Sequence, residues 1–199
     1  MGNKNKGKNA EHNLPELNVL KKELRRELYK RRFRRILRNT VDSLIVVAAV
    51  AAIIATLIFP VLQIAGTSMA PNLNDGEIVL LAKTTKVETG DLCAFYYSNK
   101  ILIKRVIATP GDYIWIEPDG TVFVNGVELM EPYLHEKALG ECDIEFPYQV
   151  PENAFFMMGD QRETSIDSRS SVIGCIAEDH MIGKLVIKLW PLSELEWLW

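Results

Sequence analysis

Ser68 and Lys104 are the two residues of this 199-residue chain whose types and settings fit nucleophilic catalysis. A serine hydroxyl is a weak nucleophile until a neighbouring base takes its proton, and a neutral lysine amine can be that base. Lys104 stands inside the apolar run Ile101-Leu102-Ile103-Lys104-Arg105-Val106-Ile107. On a strand, Leu102, Lys104 and Val106 share one face, and Ile101, Ile103, Arg105 and Ile107 the other. Apolar neighbours desolvate the ammonium and lower its pKa, which brings general-base chemistry near neutral pH into reach. Taken alone, Lys104 also fits an edge-strand lysine whose amine reaches water. Gly66 before Ser68 and Pro71 after it mark a turn that exposes the serine Oγ and N–H, and the N–H is a candidate oxyanion donor.

A third cluster lies at Gly159-Asp160-Gln161-Arg162-Glu163-Thr164-Ser165-Ile166-Asp167-Ser168-Arg169, after the apolar Phe155–Met158. Its density of guanidinium, carboxylate and hydroxyl groups suits a platform in which Arg pairs with carboxylate and a hydroxyl orients a base. A structural Asp/Arg-latched turn is the alternative reading of the cluster by itself.

The elements that must hold these groups begin with a membrane span. No charge occurs from Ser43 to Asn74, and the apolar core Leu44–Leu62 is 19 residues long, close to the ~30 Å of a hydrocarbon layer at 1.5 Å per residue. Residues 1–40 hold 13 Lys/Arg and 4 Asp/Glu, net +9, against 10 and 22 in residues 41–199, net −12, which together give the formal charge of −3. Positive charge flanking a first span is kept in the cytoplasm. The expected organisation is a cytoplasmic basic tail over 1–42, a transmembrane anchor over 43–63 and an extracytoplasmic domain over 64–199. A cleavable secretory signal is the rival, but its apolar segment would be too long and its basic region some 40 residues. Residues 1–16 read as a mobile tail. Leu17, Leu20, Leu24 and Leu28 recur at helical spacing among Lys and Arg, which reads either as an amphipathic helix on an anionic leaflet or as a solvated charge run.

Beyond the anchor the period changes to two. Ile78–Leu81, Leu92–Tyr97, Ile101–Ile107, Tyr113–Ile116, Val122–Val124 and Met181–Leu189 are short runs punctuated by Gly, Pro, Asn and Asp. Asn125-Gly126 between Val122-Phe123-Val124 and Val127-Glu128-Leu129 predicts a type I′ hairpin. The predicted fold is mostly β: an antiparallel β-sheet or barrel-like outer catalytic domain tethered by one N-terminal transmembrane α-helix. Cys93, Cys142 and Cys175 form no disulfide framework, and His12, His135 and His180 lack metal-ligand spacing.

Together these residues resemble bacterial type I signal peptidase, the membrane-anchored Ser/Lys endopeptidase of peptidase family S26. The resemblance is carried by Ser68-Met69-Ala70-Pro71-Asn72-Leu73, by Lys104-Arg105-Val106-Ile107-Ala108-Thr109-Pro110-Gly111-Asp112, by the Gly159–Arg169 segment, by Glu131-Pro132-Tyr133 and by the closing Gly183–Pro191. It implies that Ser68 is the nucleophile, Lys104 the general base and Ser165 the hydroxyl orienting the lysine, with Asp167 and Arg169 supporting the site. Asn72 stands where the family usually has Thr, and Gln161 where it usually has Asn. Gly66 replaces a serine that serves the oxyanion in some relatives, so more of that task falls to the Ser68 N–H. The resemblance further implies preprotein substrates with signal peptides, cleavage at small-x-small sites, no cofactor or metal, and a single-pass location in a bacterial plasma membrane beside membrane lipids. Trp190, Trp197 and Trp199 are candidates for interfacial contact.

Two other readings fit parts of the sequence. A sortase-like cysteine transpeptidase would need Cys175 with His180 and Arg169, and a catalytically inactive anchored homologue would keep the fold alone. A nucleic-acid role in the manner of Ser/Lys self-cleaving repressors is disfavoured, because the basic arm runs straight into a membrane span.

Overall fold

Pro60 ends the one long helix among the described residues, which are 17–84 and 86–198 of the computed structural model. Helix α1, Leu17–Ile58, is unbroken, as its Leu, Ala, Arg, Lys and Glu content favours. Proline has no N–H for the helix ladder and disfavours the α conformation at Phe59, so Phe59 N makes the last such bond, 2.8 Å to Ala55 O. The apolar run expected as an anchor to residue 63 is therefore divided: its helical, uncharged part is Ser43–Ile58, and Val61–Gln63 become strand. The basic segment after residue 16 belongs to the same helix as the span. The expected mobile tail over 1–16 and the Trp199 contact lie outside the described residues.

Residues Ile54–Trp199 form one compact unit and Met1–Ile53 another. The described residues of the larger unit form twelve strands: β1 Val61–Gln63, β2 Ile78–Ala82, β3 Leu92–Tyr97, β4 Lys100–Ala108, β5 Tyr113–Ile116, β6 Val122–Val124, β7 Val127–Glu128, β8 Tyr148–Gln149, β9 Ala154–Met158, β10 Ile176–Ala177, β11 Met181–Trp190 and β12 Glu196–Trp197. One sheet has the order β1-β2-β11-β3-β4-β9-β10 with β12 beside β11, and a second has the order β7-β6-β5-β8. Every pairing is antiparallel. The mostly-β antiparallel expectation stands. A closed barrel does not form among the described residues, because the end strands of the larger sheet, β1 and β10, do not pair with each other.

Local sequence accounts for much of this. Asn125 and Gly126 adopt φ of 51° and 79°, and Val124 pairs with Val127 across them, as the type I′ turn requires. Strand β2 alternates, with Val79 and Leu81 fully buried against Leu185 of β11 and the loop residues Met69 and Leu73. Each such side chain contributes roughly 1.5–3 kcal/mol of burial. Strand β9 is buried on both faces and sits between β4 and β10, so its end delivers the Gly159–Arg169 segment directly beside β4.

Candidate active site

Ser68 lies in a loop whose two ends are tied together, Ile64 N to Glu77 O at 2.8 Å and Gly76 N to Ile64 O at 2.9 Å. Met69 and Leu73 sink into the core on either side of the exposed Pro71, so the loop is packed from below and cannot swing freely. Gly66, at φ 97°, has its N–H bound by Asp75 Oδ1 at 2.7 Å. Lys188 of β11 holds the loop from beneath: its buried ammonium donates to Asn72 O at 3.3 Å and pairs with Glu77 at 3.4 Å.

Lys104 sits mid-strand in β4, opposite Cys93 of β3, and is 3% exposed. Its Nζ donates to Ser165 Oγ at 2.8 Å. Burial lowers its pKa to about 8, outweighing the Asp167 and Asp160 carboxylates that favour the charged form, while Arg169 adds to the depression. A group so placed changes protonation near physiological pH, the condition a general base needs.

Ser165 is fixed by its surroundings. Its N–H donates to Gln161 O at 3.0 Å, and Gln161 N in turn donates to Ser68 O at 3.0 Å, so the backbones of the serine loop and the Ser165 turn are joined. Gly159 lies between them: a Cβ there would meet the Ser165 side chain and come 2.6 Å from Ser68 O. Asp167 accepts two bonds from the Arg169 guanidinium, Nε to Oδ1 and Nη2 to Oδ2, both 2.8 Å, and one from Gly159 N at 2.9 Å. Burial alone would raise the Asp167 carboxyl, but Arg169, the Gly159 N–H and the Ser165 hydroxyl hold it below the usual carboxylate range. Arg169 also donates to the carbonyls of Leu139 at 2.6 Å and Arg162 at 2.9 Å. It is fully buried.

Sequence reasoning missed a second polar network on the other face of β4. Arg105 forks onto Asp160, Nε to Oδ1 at 2.8 Å and Nη2 to Oδ2 at 2.6 Å, and lies 3.8 Å from the Tyr133 ring centroid. Asn72 Nδ2 donates to Asp160 Oδ2 at 2.7 Å and to Tyr133 O at 2.9 Å. Buried Arg162 pairs with Glu131, which also accepts from the Tyr133 hydroxyl at 2.8 Å. The signal for this network was Arg105 itself, since an arginine on an apolar strand face requires a buried carboxylate. Which carboxylate it takes is not written in the local pattern.

A cleft of about 170 Å³ opens beside Ser68. Its walls are Leu62 and Gln63 of β1, the loop from Ile64 to Gly66, Met69, and Ile101–Ile103 of β4. Lys100–Lys104 pair with β3 on one side, and β9 joins the other side only from Arg105 onward. The cleft is thus flanked by two strand edges with free backbone groups. The Cys175, His180 and Arg169 of the alternative reading are not brought together as a site: Arg169 is committed to Asp167, and burial raises the Cys175 thiol pKa against the opposing bond to Tyr148. Among the described residues no group of three or more His, Cys, Asp or Glu is arranged to hold a metal ion.

Residues 37–190 match the family model described as signal peptidase, peptidase S26. The chain is 32% identical over 151 residues to signal peptidase I T of Bacillus subtilis (strain 168), covering 69% of this chain and 77% of that protein. It is 35% identical over 153 residues to signal peptidase IB of Staphylococcus aureus (strain N315), covering 67% and 78%. Among solved structures, a signal peptidase I from Enterococcus faecalis V583 is 27% identical, with 51% of this chain and 97% of that one covered and a TM-score of 0.42.

Proposed function

Because the chain belongs to the signal peptidase family, peptidase S26, and removes signal peptides as a peptidase of that family, we propose that Ser68 is its nucleophile and neutral Lys104 its general base. The observation that carries this assignment is the buried Lys104 amine, with a pKa lowered to about 8, held by Ser165 at 2.8 Å on the platform that also binds the Ser68 backbone.

The chemistry is acyl transfer. Neutral Lys104 takes the Ser68 hydroxyl proton as Oγ attacks the scissile carbonyl, and the Ser68 N–H stabilises the developing oxyanion. The Lys104 ammonium returns that proton to the departing amine of the mature protein. A water deprotonated by Lys104 then attacks the ester, releasing the signal peptide and restoring Ser68. Ser165 aims the lysine, Asp167 and Arg169 fix Ser165, and Gly66 lends its space to the cleft wall.

The substrate is a preprotein whose signal peptide lies extended between the free edges of β1 and β4, where main-chain bonds give affinity and alternate side chains enter the cleft. A space of about 170 Å³ bounded by Met69, Leu102 and Ile103 suits small residues at −1 and −3. The uncharged part of α1 is a single-pass membrane anchor, with the basic end in the cytoplasm and residues 64–199 outside a bacterial plasma membrane. Lipid contact by the outer domain is supported by a registered apolar row, Val61, Leu80, Ile187 and Trp197, next to the exposed Trp190.

The test is cleavage of an Ala-x-Ala preprotein by the detergent-solubilised parent, Ser68→Ala and Lys104→Ala proteins. Cleavage by the parent and its loss in both folded variants is the expected result. Cleavage that survives either change removes that residue from its role, and an inert parent would favour the inactive-homologue reading.

A further inference from the structure

The basic part of α1 is longer than topology requires, and its apolar residues change sides. At about 100° per residue, Leu17, Leu20, Leu24 and Leu28 share one side of the helix, whereas Tyr29, Phe33, Ile36 and Leu37 gather on roughly the opposite side. All are exposed. Between Lys30 and Arg38 the basic residues Lys30, Arg31, Arg32, Arg34, Arg35 and Arg38 fall outside the second apolar arc and surround it. The first stripe is flanked by Glu23 and Glu27, and Glu27 pairs with Lys30 at 2.9 Å. The second is the more cationic and is nearer the span.

The span itself is short. Ser43–Ile58 is 16 helical residues, about 24 Å at 1.5 Å each, against ~30 Å of hydrocarbon. Pro60 forbids lengthening at the far end, so the deficit falls on the arm, where Val41, Leu37 and Ile36 come next. Thr40 Oγ1 bonds back to Ile36 O at 2.9 Å, a contact that weakens and bends helices, located between the apolar span and the basic stripe.

We propose that the Tyr29–Leu37 face and its ring of arginines dock the arm onto anionic lipid headgroups at the membrane face from which it emerges. Apolar side chains enter the acyl boundary while the guanidinium groups reach back to phosphates, as amphipathic basic helices do. A polyanion such as RNA would satisfy the charge but not the aromatic stripe, and continuity with the span brings lipid within one or two helical turns of Arg38. The inference rests on α1 being an anchor and not on which way it points.

The full chain is placed in nanodiscs of phosphatidylcholine alone or with one third phosphatidylglycerol, whose faces are alike. Trypsin cleavage after Lys30, Arg31, Arg32, Arg34, Arg35 and Arg38 is followed by mass spectrometry relative to cleavage after the exposed Lys86. Cleavage in the arm should be at least tenfold slower in the anionic discs. Adding 0.5 M salt, combining Arg31→Gln, Arg32→Gln, Arg34→Gln and Arg35→Gln, or combining Tyr29→Ser with Phe33→Ser should each abolish most of that difference, read at the remaining sites. Equal cleavage in the two discs overturns the proposal, as does protection by added RNA without protection by lipid. Preprotein cleavage in the same discs reports separately on the proposed enzyme, so its loss leaves the docking result intact.

Discussion

Gly159 and Ser165 touch so closely that a methyl group on the glycine would come 2.6 Å from Ser165 Cβ, with the Ser68 carbonyl oxygen equally near. Backbone cannot yield to a new atom as a flexible side-chain tip can, so the two serines are spaced by the absence of one carbon. Gly159→Ala should lower the melting temperature, because buried Ser165 and the Ser68 backbone must both shift, and in the protein that remains folded kcat should fall at least tenfold with little change in KM, since small misplacements of groups proposed to react are costly. Kinetics beside a thermal melt separate the two effects. An unchanged kcat would show that the spacing is not critical.

A pH dependence follows from the base proposed at Lys104. With its folded pKa at about 8, kcat/KM should rise close to tenfold per unit below pH 7, standing near ~1% of its plateau at pH 6, and level off above about pH 9. A flat profile from pH 6 to 9 would remove the lysine from the role of base.

Stability should move in step. The folded pKa lies below the unfolded value of 10.5, so below pH 8 both states are protonated and the fold bears the cost of burying an ammonium. Between about 8 and 10.5 the unfolded chain binds more protons, and stability rises with pH. Lys104→Met should therefore be more stable than the parent at pH 7, with the gap shrinking toward pH 10. Urea titrations at both pH values measure it, and a gap that widens would contradict the assignment.

Asp167→Asn leaves the fully buried Arg169 charge without its partner. Breaking such a pair costs about 3–5 kcal/mol, a loss visible as a lowered urea midpoint. Arg169→Lys should not restore it, because a single ammonium cannot reproduce the fork or the bonds to Leu139 O and Arg162 O.

Glu131→Gln tests the network that local patterns did not reveal. It leaves Arg162 charged and buried, so stability should drop by a similar ~3 kcal/mol, and kcat should fall as well, because Arg162 Nε also holds Gly159 O at 3.1 Å. Loss of stability with full kcat in the remaining folded protein would confine Glu131 to a structural role.

Legibility in the sequence follows the range over which each feature is decided. Strands β2 to β6 and the Asn125-Gly126 turn were readable because alternation and positive φ are local properties. Strands β1, β8, β10 and β12 are two or three residues long and owe their form to partners, so no window of sequence announces them. The proposed roles of Ser68, Lys104, Ser165, Asp167 and Arg169 came from motif resemblance combined with the burial expected of Lys104. The Arg105–Asp160 and Arg162–Glu131 pairs join positions 55 and 31 residues apart. A charge pattern says that buried arginines need carboxylates and leaves the choice to the fold.

The unpaired edge of Lys100–Lys104 also bears on how the protein behaves in the test tube. An exposed strand edge is a template for any other strand, and anchored molecules that meet only by lateral diffusion seldom present theirs to one another. Freed from α1 and concentrated, the domain offers the same backbone groups to its own copies, and self-association through the vacant slot becomes the expected route to precipitation. A short extended peptide that fills the slot should then act as a solubilising additive, keeping the preparation monodisperse without touching the rest of the surface.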